Sequence, residues 1–155
     1  MRVTRIQQAP GGEAPTASVT LDYEGRMVRR RRLPLDGGGS VMVDLPETVS
    51  LDEGDVLVGE GAAVRVVAAE EPCLRIAGPD LARYAWHIGN RHAPCQITAD
   101  SLLVREDPVL ADMLRHLGAT VQRVSVPFRP EGGAYGHGRT MPHAHGPGET
   151  HSHAP

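Results

Sequence analysis

Eight histidines hold most of this chain's capacity for chemistry, and five of them crowd the stretch GHGRTMPHAHGPGETHSHAP, residues 136–155. They are His137, His143, His145, His151 and His153. His143–Ala144–His145 and His151–Ser152–His153 are two His-x-His pairs. Imidazole suits nickel, copper and zinc, and a short His-rich tract is a candidate metal binder. Flexible pairs of this kind chelate without a preset geometry. An expression tag is the competing reading. It fits poorly, because no run of six histidines is present and Gly, Pro, Thr and Glu interrupt the pairs.

A second cluster lies in WHIGNRHAPCQI, residues 86–97. His92 sits just past a predicted helix stop. If helical phase carries through Gly89, His92 lies at the edge of the apolar face, where a neighbouring subunit could pack. His87 falls on the opposite, polar side. A histidine at a helix end commonly caps carbonyls or answers the helix dipole. Spacing alone leaves that role and the ligand role both open for His92. Cys95 follows three residues later, and a strand there turns it toward the sheet as a core thiol. His116 reads as a surface residue near the end of a second helix. Cys73 and Cys95 are expected to be free thiols.

The run Arg29, Arg30, Arg31 and Arg32 puts charge on both faces of a strand, as in an exposed ribbon. It reads as a solvated face or as a docking patch for an acidic partner. No aromatic residue interleaves it, and the formal net charge is −3, so a nucleic-acid platform is not expected. The chain lacks HExxH, P-loop and G-x-S-x-G signatures and shows no convincing acid/base pair. No enzyme is expected. Residues 1–10 carry no apolar signal-peptide core, and no run approaches 18 apolar residues. The expectation is a soluble cytoplasmic protein without a membrane partner.

The elements that must position these residues fall into two groups. Residues 1–71 read as β, with strands at 19–22, 25–35, 41–45, 56–58 and 64–68, and suggest a small sandwich or barrel. A break falls at EEPC, 70–73. Beyond it come a strand at 73–77 and a helix from Pro79 to the stop at Gly89–Asn90, with Leu81, Tyr84, Ala85 and Ile88 on one face. Strands at 95–98 and 102–105 follow. A second helix opens at Asp107–Pro108, buries Val109, Leu110, Met113, Leu114 and Leu117, and ends at Gly118. A strand at 121–126 closes a β-α-β-β-α-β order. The fold class is therefore α+β, with an all-β domain (1–71), a ferredoxin-like domain (72–136) and a tail (137–155). The tail's composition cannot repay ordering, so it is expected to be disordered.

Several segments match a known pattern in order along the chain: RRRRLPLDGG, DLPETVSLDEGDVLVGEG, GNRH-x-P-x-Q-I, DPVLADMLRHLG and PFRPEGGAYGHG. With them, the sequence resembles the UreE family of urease accessory proteins, which are nickel metallochaperones. The resemblance covers nearly the whole chain. It implies a peptide-binding-like first domain and a ferredoxin-like second domain that forms a homodimer. It also implies that His92, the His of GNRH, is the principal ligand for Ni²⁺, with Zn²⁺ possible in its place. The implied partners are the GTPase UreG and the urease maturation complex. His137, His143 and His145 are candidates to complete the shell, and His151 and His153 to bind further metal. Nickel or zinc storage without delivery is the alternative function.

Overall fold

The computed structural model describes residues 1–8 and 14–132. The expectations for His137, His143, His145, His151 and His153, and for a disordered tail, lie outside the described residues.

The first domain is built from β1 (Arg2–Gln7), β2 (Ala17–Leu21), β3 (Met27–Pro34), β4 (Ser40–Ser50), β5 (Val56–Gly59) and β6 (Ala62–Ala68). These strands form one sheet in the order β2-β6-β5-β1-β4-β3. The β1–β4 and β2–β6 pairs are parallel and the other pairs antiparallel. Instead of a two-sheet sandwich, a single sheet curls around its own core. Val3, Val19, Val28, Leu33, Val43, Leu57 and Val64 meet there from all six strands. Branched aliphatics alternate with polar residues on these strands, so one face closes inward and the other stays wet. Gly59 allows β1 and β5 to approach closely. A Cβ there would lie 2.0 Å from the Arg2 carbonyl oxygen.

The second domain consists of β7 (Glu70–Ala77), α1 (Leu81–Asn90), β8 (Gln96–Ile97), β9 (Leu102–Arg105), α2 (Pro108–His116) and β10 (Thr120–Pro127). Its sheet runs β10-β7-β9-β8, with every pair antiparallel. This is the split β-α-β arrangement with both helices on one face. Tyr84 and Ile88 of α1 and Leu110, Ala111 and Leu114 of α2 pack with Leu74, Ile76, Leu102 and Val104. The second sheet begins earlier than Cys73, since Glu70 and Glu71 already pair with Pro127 and Val126 of β10. Val109 is 57 % exposed and does not belong to the buried stripe of α2; Ala111 takes its place.

The back of this sheet rests on the first domain. Cys73, Leu103 and Phe128 are buried against Tyr23. The Tyr23 and Phe128 rings meet edge to face at 5.3 Å. Arg26, only 2 % exposed, reaches across the junction. Its guanidinium donates to the carbonyl oxygens of Leu51 (3.2 Å), Leu21 (3.3 Å) and Phe128. The Tyr23 amide donates to Glu71 at 2.8 Å.

Candidate metal centre

The site begins at the end of α1. The helix ends where the Gly89–Asn90 signal placed it. It runs through Asn90, and Arg91 is the C-cap. His92 then takes a left-handed conformation, with φ of 57°, and is the only non-glycine residue to do so among those described. The His92 amide donates to the Gly89 carbonyl at 2.9 Å, and the Ala93 amide to the Ile88 carbonyl at 3.3 Å. This pair of bonds is the Schellman ending, which favours glycine at the left-handed position. α2 ends with the same bonds, Gly118 to Arg115 and Ala119 to Leu114, each 3.0 Å. There the left-handed residue is Gly118, with φ of 93°.

The turn decides where the His92 side chain goes. Helical phase does not carry past Asn90, so His92 is not at the edge of the apolar face of α1. It stands exposed on the turn, while Ala93 folds back on the core beside Ile88. A non-glycine residue at such a position stores roughly 1–2 kcal/mol of strain. An exposed imidazole held at that cost is free to ligate through either ring nitrogen.

The surrounding groups do not complete a centre. Among the described residues, no three His, Cys, Asp or Glu side chains converge as metal ligands would. His87 is half-buried and meets the Trp86 ring edge to face at 5.0 Å. His116 is exposed at the end of α2. Cys95 is half-buried and packs against the second-domain core. Burial pushes its thiol up to about 11, opposed by a hydrogen bond from the Leu103 backbone and reinforced by the charge of Glu131. Cys73, inside the domain junction, is likewise pushed up to about 11 by burial. Metal binds the thiolate, so these shifts disfavour both cysteines as ligands.

Beside the turn, the outward face of α1 carries Ala82, Trp86 and Gly89. Trp86 is 64 % exposed, and nothing stands within 4 Å of where a Cβ on Gly89 would lie.

The four arginines lie far along the chain from this turn, on the edge strand β3, all exposed. Arg30 pairs with Asp44 at 2.7 Å, and Arg2 pairs with the same carboxylate. These two arginines, Arg30 first, hold the Asp44 carboxyl below its ordinary value. Arg31 donates to the Gly25 carbonyl and Arg32 to Ser40. Arg29 stands at a register shift between β3 and β4.

Residues 2–69 match the family model described as UreE urease accessory protein, N-terminal domain, and residues 62–153 match its C-terminal domain. The chain belongs to the UreE family of urease accessory proteins. It is 57 % identical over 136 residues to the urease accessory protein UreE of Paracoccus denitrificans, covering 87 % of this chain and 86 % of that one. It is 49 % identical over 152 residues to the protein of that name from Rhodobacter capsulatus, covering 97 % of both. With the one from Burkholderia pseudomallei (strain 1710b) it shares 48 % over 150 residues, covering 94 % of this chain and 68 % of that one. Membership places the chain among the urease accessory proteins. No helix among the described residues is long and apolar enough to cross a membrane.

Sequence reasoning missed Arg26, Phe128 and Arg129, which join the domains, and Gln96, whose side chain accepts from the Arg129 amide. One signal was available for Phe128. It is the chain's single phenylalanine, directly after a strand and two residues before Pro130.

Proposed function

We propose that this chain is a nickel carrier that hands Ni²⁺ to the urease maturation machinery. The observation that carries the reading is His92, an exposed imidazole in a left-handed position that glycine would fill without strain. Strain retained at an exposed polar residue points to a use for its side chain.

One imidazole is a poor site. A homodimer across a two-fold axis would bring two copies of His92 to one point, since such a contact is self-complementary. The exposed Trp86 beside Gly89 offers an apolar surface for a second copy next to the turn. Ni²⁺ would keep positions open after two imidazoles. His137, or the pair His143 and His145, would fill them, and His151 and His153 would bind further metal more loosely. Zn²⁺ is a plausible competitor, because nitrogen donors separate the two ions weakly. In this reading the protein works in the cytoplasm with the GTPase UreG and apo-urease, and Arg29, Arg30, Arg31 and Arg32 present a basic edge to an acidic partner surface.

The test uses cells that carry His92→Ala in the full chain, with urease assayed at limiting nickel. Activity should fall and return with excess nickel. Unchanged activity at limiting nickel would overturn the reading.

A further inference from the structure

β3 is an edge strand: it pairs with β4 on one side, and among the described residues no strand pairs with the other. Arg29, Arg30, Arg31 and Arg32 lie along that edge, and they do not share one task. Asp44 of β4 sits between Arg2 of β1 and Arg30 of β3 and pairs with both, with Arg30 at 2.7 Å. Arg30 therefore belongs to a clip across three strands. Arg29, Arg31 and Arg32 meet no carboxylate among the described residues. Arg31 and Arg32 rest on neutral acceptors instead, the Gly25 carbonyl and the Ser40 hydroxyl (3.0 Å). A guanidinium has five N–H donors, so each keeps donors for a carboxylate while one bond already orders it. The whole chain has a formal net charge of −3, so this cationic edge is a local feature and not the by-product of a basic protein.

The register decides the shape of the ligand. Arg32 stands opposite Met42, and Arg31 opposite Val43, which is buried in the core. Paired residues share a face, so Arg32 projects from the outer face of the sheet and Arg31 from the inner one. Both are exposed. An acidic helix or a flat acidic patch meets one face at a time. An extended chain laid along the edge meets both, because its own side chains alternate with a period of two. Consecutive carboxylates in such a chain reach the two faces in turn, while its backbone meets the unpaired N–H and C=O groups of the edge. We propose that β3 takes an extended run of acidic residues from a partner protein as an added strand, with Arg29, Arg31 and Arg32 receiving its carboxylates and Arg30 serving the sheet. The proposal rests on the docking reading of the arginine run above and narrows it to one class of ligand.

The probe is a labelled peptide, Gly-Ser-Glu-Glu-Glu-Glu-Ser-Gly, titrated against the full-length protein by fluorescence anisotropy at low salt. Binding should weaken with salt and should slow amide exchange in β3 but not in β10, an edge of the second sheet. An exposed ion pair is worth up to about a factor of five, so the combined change Arg29→Gln, Arg31→Gln and Arg32→Gln should lower affinity roughly tenfold or more. Arg30→Gln should lower it less than about threefold, as should Arg65→Gln, Arg75→Gln and Arg83→Gln together, which remove equal charge from exposed positions elsewhere. Arg32→Gln alone should give a loss of roughly threefold, should the triple variant fail to fold. A helical peptide with the same glutamates spaced along one face, single-stranded DNA of equal charge and vesicles rich in anionic lipid should all bind more weakly. Equal or tighter binding by any of them overturns the proposal, as does an equal loss in the Arg65, Arg75 and Arg83 variant. Unchanged peptide binding by a triple variant that aggregates also overturns it, and leaves the arginines the task of keeping the edge apart. Urease activity at limiting nickel in cells carrying the triple variant separates the two failures. Lost activity without peptide binding keeps a docking role for the arginines and overturns the extended ligand alone. Unchanged activity without peptide binding overturns the docking reading and this proposal together.

Discussion

His92 occupies a position whose backbone asks for glycine, yet it carries an exposed imidazole there. Relief of the left-handed strain is worth roughly 1–2 kcal/mol. The added freedom of a glycine in the unfolded chain takes back roughly 0.4–1 kcal/mol. His92→Gly should therefore stabilise the fold by about 0.5–1 kcal/mol, raising the thermal midpoint by roughly 2 °C. The same change should abolish His92-dependent binding of Ni²⁺. A midpoint that falls instead would show that the imidazole makes a stabilising contact. Cys95 makes the opposite case, a candidate ligand that its surroundings keep protonated. Its thiol, like that of Cys73, is raised from 9.0 to about 11 by burial. The unfolded chain loses these protons first, so stability should be fully present below pH 9.0 and decline as pH rises toward about 11. Urea unfolding across that window should show the decline, and Cys95→Ser should make it shallower. Ni²⁺ affinity should survive Cys95→Ser, and a loss beyond about tenfold would return the thiol to the metal shell.

At the scale of elements, α2 was legible because its signals are local. Asp107 accepts from the Val109 amide at 2.8 Å and the Leu110 amide at 3.1 Å. Pro108 opens the first turn and Gly118 closes the last. Asp107→Ala should cost about 1 kcal/mol, read as a lowered urea midpoint with an unchanged slope. The end of α1 was legible at Gly89–Asn90, but the left-handed turn beyond it was not. Gly89 lies inside the helix, and the left-handed geometry falls to His92. β1 was not legible at all. RVTRIQ buries only Val3 fully, and its partners in β4 and β5 lie about forty residues or more away in sequence. Its strand state comes from pairing rather than from pattern. The curl of the first sheet was hidden for the same reason, since parallel pairs such as β2–β6 leave no hairpin signature. Of the candidate site, the sequence offered the residue but not its placement. Resemblance singled out His92, and only the turn geometry shows why it faces outward.

The two domains differ in how they are held together internally and in how they are held to each other. Each closes an aliphatic core of its own. Their junction is of another kind, centred on Phe128 and held by two arginines, Arg26 and Arg129. Phe128 fills the space between Tyr23, Cys73 and Leu103, and Arg26 ties its carbonyl to those of Leu21 and Leu51. Arg105 adds a pair with Glu24 at 2.9 Å, but both partners are exposed and contribute little. Phe128→Ala should cost about 3–5 kcal/mol, most of it at the junction. It also leaves the Arg26 guanidinium beside a cavity that water can enter. The two cores are separate, so the loss should uncouple the domains rather than weaken both alike. Calorimetry of the native chain should then show one transition, and of Phe128→Ala two, with the more stable domain melting near the native midpoint. The same variant should free the Arg129 amide, which donates to the Gln96 side chain, and the Glu131 amide, which donates to the Cys95 carbonyl, to exchange, because both follow Phe128 out of the junction. A single transition displaced to lower temperature would mean that neither domain stays folded without the other, and that the junction is part of one continuous folding unit.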